Sequence, residues 1–265
     1  MSARGVEGVG IHSGRRGRVR LHRDDGRLRF RLGRHEVPAD ADAVVSTKRC
    51  TALGADGACV ATVEHLLAAL RVAGFWTGVV VEVEGPELPI LDGSAGPWRD
   101  AVAGLGEPPP TPVPWRPSAA LHFRHGPTRV RLEPGAERLT ASIAYAHRAI
   151  GAQRWSGAPE CFDGLLDART FATRGEVEAL RAAGGLLGAA EGRGIVFDDD
   201  GPAAPLRWPD EPVRHKALDA LGDLVLFGRP LAGDLSIERG SHAAHVAFML
   251  MLRSRADVER DGAPP

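Results

Sequence analysis

The stretch EPVRHKALDALGDLVLFG, residues 211–228, has the spacing of one helix and decides how the rest of the chain is read. Pro212 suits a first helical turn and Gly228 suits a helix end. His215, Asp219 and Asp223 follow one another at four-residue intervals. At about 100° per residue they form a stripe roughly 80° wide. Leu218, Leu221 and Val225 lie on the adjoining face, the natural core contact. The acidic stripe therefore borders the interior, where a carboxylate costs several kcal/mol unless it is paired or bound to a metal. Either these residues cap a structural network or they hold an ion.

The composition narrows the setting. A chain of 265 residues is long enough for a sizeable core in one large domain or two small ones. With 33 basic and 34 acidic residues it lacks the electrostatic footprint of a nucleic-acid binder. Cys50, Cys59 and Cys161 cannot all pair and none forms a C-x-x-C, which argues against a disulfide framework. Neither a signal-peptide pattern nor an apolar run long enough to cross a membrane is present, so the expectation is a cytoplasmic protein. Asparagine is absent and lysine occurs only at Lys48 and Lys216. Against that arginine-rich background Lys216, beside His215, stands out: a compact ammonium meets phosphate as a point charge, which an arginine fork does not copy.

The most proline-dense segment, EPPPTPVPWRP (107–117), favours an extended linker and separates two unequal parts of similar design. The first, 1–106, holds strand-like runs (RVRLH, RLRFRLG, TGVVVEVEG) and the helix-like TVEHLLAALRVAG. The second, 118–252, holds LHFR, RVRLEP, TASIAYAH and GIVFDD, a helix-like RGEVEALRAAG, and the helix at 211–228. No internal repeat aligns, so any duplication is architectural. The layout predicts an α+β protein with helices packed on sheets, ending in a disordered tail at 253–265.

In ATVEHLLAAL, Thr62 suits an N-cap, which places Glu64 and His65 in the first turn. Alone, Glu64 is explained by the helix dipole and His65 by ordinary packing. His215 and Asp219 at i, i+4 offer an imidazole and a carboxylate to one point, as a hydrogen-bonded pair or as two metal ligands. A second histidine from elsewhere would complete the ligand set of an open catalytic zinc site.

GVGIHSG (8–14), TVEHLLAAL (62–70), ELPILDGSAGPW (87–98), DARTFA (167–172) and VRHKALDALGDLVLFG (213–228) occur in this order. Together they closely resemble the UDP-3-O-acyl-N-acetylglucosamine deacetylases, which carry out the committed step of lipid A synthesis in Gram-negative bacteria. The resemblance runs from about residue 5 to residue 252. It implies two similar α+β domains, each of helices layered on β-sheets with a small insert, and an active site between them. It implies His65, His215 and Asp219 as ligands of one Zn²⁺ per chain, with Fe²⁺ as an alternative occupant, and Glu64 as general base. It also implies Asp223 orienting His242, which donates a proton or stabilises the oxyanion, and Thr170 bonding the tetrahedral intermediate. Lys216 would meet the substrate diphosphate, and Phe171, His12 and His147 would complete the substrate contacts; a structural role for His12 in the Gly-rich turn is equally open. The partner is then a UDP-linked acylated amino sugar handled by a monomer, with peripheral membrane contact at most.

The chain also departs from that family. Ser241 precedes His242 where glycine is usual, and His245 stands where asparagine is expected and competes for the acid role. His147 lacks the proline that normally follows it, and ATRGEVEAL replaces a glycine and apolar residues after Phe171. That insert forms the family's acyl passage, which Arg174 and Glu176 would shorten or redirect unless they face solvent. The competing readings are a paralogue acting on another N-acetylated sugar, a non-haem iron oxygenase, which shares the two-histidine, one-carboxylate set, and a non-catalytic binding relative.

Overall fold

The computed structural model describes residues 5–261, with side chains through residue 255. The first half contains strands β1 (Val6–Val9), β2 (Arg16–Arg27), β3 (Arg29–Leu32) and β4 (His35–Pro38), then the short strands β5 (Val44–Ser46), β6 (Ala52–Ala55) and β7 (Ala58–Ala61). Helix α1 (Glu64–Val72), strand β8 (Thr77–Glu84) and helix α2 (Arg99–Ala103) follow. The second half contains β9 (Leu121–His125), β10 (Thr128–Glu133), β11 (Leu139–Ala144), β12 (Ala152–Gly157) and β13 (Phe171–Thr173). It continues with α3 (Arg174–Ala182), β14 (Ile195–Asp198), β15 (Gly201–Pro202), α4 (Glu211–Asp223), β16 (Asp234–Glu238) and α5 (His242–Asp261).

The two halves share one topology. In the first, β8 lies between two hairpins in the order β1-β2-β8-β3-β4, antiparallel to β2 and parallel to β3. In the second, β16 lies between hairpins in the order β9-β10-β16-β11-β12, antiparallel to β10 and parallel to β11. Each central strand follows the half's main helix, and each half carries a three-stranded insert, β5-β6-β7 or β13-β14-β15. The duplication is thus of architecture, as the unaligned sequence halves implied. Period-two alternation sets the faces: on β2, Val19 and Leu21 point into the core while Arg18, Arg20 and His22 do not.

Helices α1 and α4 pack against each other at the centre. The contact depends on Gly222, where a Cβ would lie 2.0 Å from the Glu64 carbonyl oxygen. That close approach brings the first turn of α1 beside the stripe on α4. Pro212 opens α4, and the chain ends that segment through a 3₁₀ turn at Leu224–Phe227 and a left-handed Gly228 at φ 83°.

Two expectations are corrected. Thr62 does not cap α1: its φ is 60°, its hydroxyl donates to Glu87, and Val63 occupies the cap without a side-chain hydrogen bond. Residues 253–261, expected to trail without regular structure, continue α5 to Asp261. At residue 253 the helix is tied to the first half by the Arg253 guanidinium, which donates to Asp40 Oδ2 at 2.8 Å and Asp42 Oδ2 at 2.9 Å. Residues 262–265 of that segment lie outside the described residues.

Candidate active site

A cavity of about 650 Å³ opens beside the α1–α4 contact and is lined from both halves. His12 follows β1, Glu64 and His65 come from α1, Thr170 and Phe171 from the start of the second insert, and His215, Lys216 and Asp219 from α4. His242, first residue of α5, closes the set.

The stripe on α4 meets α1 as a cluster of donor atoms. His215 Nε2 is 3.3 Å and His65 Nε2 3.9 Å from Asp219 Oδ1, and the three groups lie within 4.8 Å of one another. All three residues are buried. His215 Nδ1 bonds the Ala168 carbonyl at 3.0 Å, which turns Nε2 toward the cluster, while Lys216 Nζ donates to Asp219 Oδ2 at 2.9 Å. Burial and the neighbouring His215 push His65 down to about 3, and burial lowers His215 as well. Burial opposes the charged form of Asp219, but His215, Lys216, His242 and His65 overcome it and hold the carboxyl well below its usual range. Two neutral imidazoles and one carboxylate, oriented from behind, fit a divalent metal of the zinc type.

Glu64 lies next to His65 with its carboxylate fixed by the Thr51 backbone N–H at 3.0 Å. Burial raises its pKa to about 7, with His242 opposing and Asp223 and Asp219 adding to the rise. Asp223 is fully buried and accepts three hydrogen bonds. Thr51 Oγ1 donates to Oδ1 at 2.6 Å, and Nδ1 of both His242 and His245 bonds Oδ2 at 2.8 Å. Burial works against a charged His242, yet Asp223, and after it Glu64 and Asp219, raise that ring to about 9. The site thus holds a carboxyl poised near neutrality and an imidazolium, the pairing that suits base and acid in one reaction.

Of the two candidate acids, His242 lines the cavity and His245 does not. His12 is brought to the cavity and is also built into the Gly-rich turn. The residue lines the cavity, while its backbone N–H donates to Glu87 Oε1 at 3.0 Å and that of Ser13 donates to Oε2 at 2.8 Å. Gly10 makes room for this carboxylate, since a Cβ there would lie 2.2 Å from Glu87 Oε2. The Thr170 backbone is held by Gly93 O at 2.7 Å, and Lys216 Nζ stands 5.9 Å from the centre of the Phe171 ring. His147 is brought elsewhere: outside the cavity lining, it accepts from the Ala149 N–H and meets Phe197 edge-on at 6.1 Å. Arg174 and Glu176 of α3 both line the cavity; Arg174 pairs with Asp198 at 2.7 Å, and Glu176 lies 4.0 Å from Arg49.

The profile of the LpxC family, UDP-3-O-acyl N-acetylglycosamine deacetylase, matches residues 2–254. The chain belongs to this family. Relatives named UDP-3-O-acyl-N-acetylglucosamine deacetylase include one from Thermosynechococcus vestitus, 40% identical over 90% of this chain and 87% of its own length. Others are from Nitratidesulfovibrio vulgaris, 37% identical over 95% and 85%, and Anaeromyxobacter dehalogenans, 39% identical over 91% and 82%. As an LpxC-family protein the chain is an amide hydrolase by descent. Four residues of its site escaped the sequence reading: Thr51, Glu87, Tyr145 and Arg49. Tyr145 and Arg49 line the cavity, whereas Thr51 and Glu87 act through hydrogen bonds to Glu64 and His12, which do.

Proposed function

We propose that this protein is a zinc-dependent deacetylase that hydrolyses the N-acetyl group of UDP-3-O-(3-hydroxyacyl)-N-acetylglucosamine, releasing acetate, the committed step of lipid A synthesis. The observation that carries the reading is the convergence of Glu64, the His65–His215–Asp219 cluster and the Asp223–His242 pair on one cavity. His65, His215 and Asp219 would hold the metal. When bound, zinc supplies Lewis-acid polarisation of the amide and acidifies water toward neutral pH.

The protein's own groups do the rest. Glu64, at about 7, accepts the proton of the attacking water near neutral pH. His242, held protonated by Asp223, faces the developing negative charge and gives its proton to the departing amine. The Thr170 hydroxyl donates to the tetrahedral oxyanion. Lys216, with Phe171 beside it and His12 on the same cavity, receives the diphosphate and sugar; its bond to Asp219 also ties substrate charge to the metal cluster.

The same reading divides the chain into domains 1–106 and 118–252 joined at 107–117, and takes the enzyme to be a cytoplasmic monomer. No helix among the described residues is long and apolar enough to cross a membrane. A paralogous reading, with another N-acetylated sugar as substrate, is favoured by one feature. The second insert presents Arg174, Glu176, Arg181 and Arg193 to the cavity, where a purely apolar wall would best suit an acyl chain. Acetate release from UDP-3-O-acyl-N-acetylglucosamine by metal-stripped and then zinc-reconstituted protein decides between them. Zinc-restored release supports the deacetylase; no release on that substrate, with release from an N-acetyl sugar lacking the acyl chain, supports the paralogue.

A further inference from the structure

His245 lies one helical turn beyond His242 on α5, is 2% exposed, and donates Nδ1–H to Asp223 Oδ2 at 2.8 Å. His242 uses the same oxygen at the same distance, and the two rings stand nearly perpendicular with centroids 6.3 Å apart. The two lone pairs of one carboxylate oxygen therefore receive two imidazoles. The other oxygen receives Thr51. On its far side His245 Nε2 is buried without a hydrogen-bond partner, in space left by Gly240, where a Cβ would lie 2.8 Å from that nitrogen. An unpartnered buried ring nitrogen carries a desolvation cost that an apolar side chain of similar size avoids. The return on that cost is at Nδ1.

We propose that His245 is a positioning residue for the deacetylation: by donating to the Asp223 oxygen that also holds His242, it locks the carboxylate and takes a share of its charge. The proposal rests on the deacetylase reading. The physical consequence is directional. A carboxylate oxygen that already accepts one hydrogen bond attracts a second donor less strongly, so His242 releases its proton more readily than it would to a carboxylate of its own. Other charges facing His242 come from Glu64 and His65 on α1, Asp219 and His215 on α4, and His12 after β1.

The test compares two variants of the zinc-loaded enzyme. His245→Asn keeps an N–H donor close to the position of Nδ1, and His245→Leu deletes it. For His245→Leu the alkaline limb of kcat/KM against pH is expected to move up by about half a unit to one unit. Plateau kcat should fall several-fold with KM unchanged, as befits a weaker acid. His245→Asn should restore both. An unmoved limb in His245→Leu, or equal impairment of the two variants, overturns the proposal. Should His245→Leu fail to fold, ¹⁵N-histidine NMR of the wild type decides. A second imidazole, besides that of His242, protonated at Nδ1 and hydrogen-bonded supports the sharing, and an Nε2-protonated His245 overturns it. Failure of the wild type to release acetate would sink the deacetylase reading itself, while the NMR would still report whether the histidines share Asp223.

Discussion

Replacing Asp223 by Asn should convert a pH-tolerant enzyme into one that fails on the alkaline side. The amide keeps the carboxylate's shape: its oxygen can still accept from the histidines, and the Thr51 hydroxyl can turn from donor to acceptor. What is lost is the negative charge that holds His242 at about 9. Without it the ring falls toward its ordinary value of about 6.5, where burial, which lowers it, works against the remaining pull of Glu64 and Asp219. A general acid works when protonated, so its contribution is present below its pKa and lost as pH rises. At pH 8 a ring with pKa about 9 is about nine-tenths protonated, and one at about 6.5 only about one-thirtieth. The variant should therefore lose about thirtyfold in kcat/KM at pH 8 beyond whatever it loses at pH 6, with the alkaline limb about two units lower. The assay is acetate release across pH 5.5–9.5, with thermal melting to show that the fold is intact. A uniform loss at all pH values, or an alkaline limb that stays in place, would refute the assignment of His242 as an acid poised by Asp223.

Three further outcomes follow from other parts of the structure. Lys216→Ala should raise KM for the UDP-linked substrate far more than it lowers kcat; an unchanged KM would remove the lysine from the diphosphate site. Gly222→Ala should be strongly destabilising, because its Cβ would press on the Glu64 carbonyl at 2.0 Å. Overpacking of this kind costs about 1–3 kcal/mol, a fall of roughly 2–10 °C in Tm, and an unchanged melt would mean that the helices separate freely. Burial opposes the charged form of Asp40, but Arg253 holds its carboxyl below the ordinary value, so the pair stabilises the fold above about pH 4 and loses that contribution as pH falls. Asp40→Asn should flatten this part of the acid-unfolding curve, and a curve identical to wild type would deny the α5 clasp its role.

How far the sequence led depended on whether a feature was local or long-range. The stripe His215–Asp219–Asp223 was legible because helical period is a local property, and Pro212 and Gly228 bounded it correctly. The paired architecture was legible from alternating strands around two apolar helices, although no repeat aligned. Thr51 was invisible: its hydroxyl reaches Asp223 across 172 positions, from a loop without periodic pattern. Thr62 misled for a related reason. Its hydroxyl is claimed by Glu87 from outside the helix, and that tertiary contact outweighs a local capping preference. Gly222 gave no sign of its role, because the close approach of α1 and α4 that it allows is a long-range contact. His245 was seen as a rival acid, and only the fold distinguishes a ring that lines the cavity from one that stands behind it.

The central claim, that His65, His215 and Asp219 hold a metal beside a separate base, is tested most directly by measuring bound zinc and acetate release on the same preparations. The account predicts one zinc per wild-type chain and zinc retained in Glu64→Ala with turnover down by about 10²–10⁴. It predicts loss of both zinc and turnover in Asp219→Ala. Zinc lost from Glu64→Ala, or retained at full occupancy in Asp219→Ala, would contradict it.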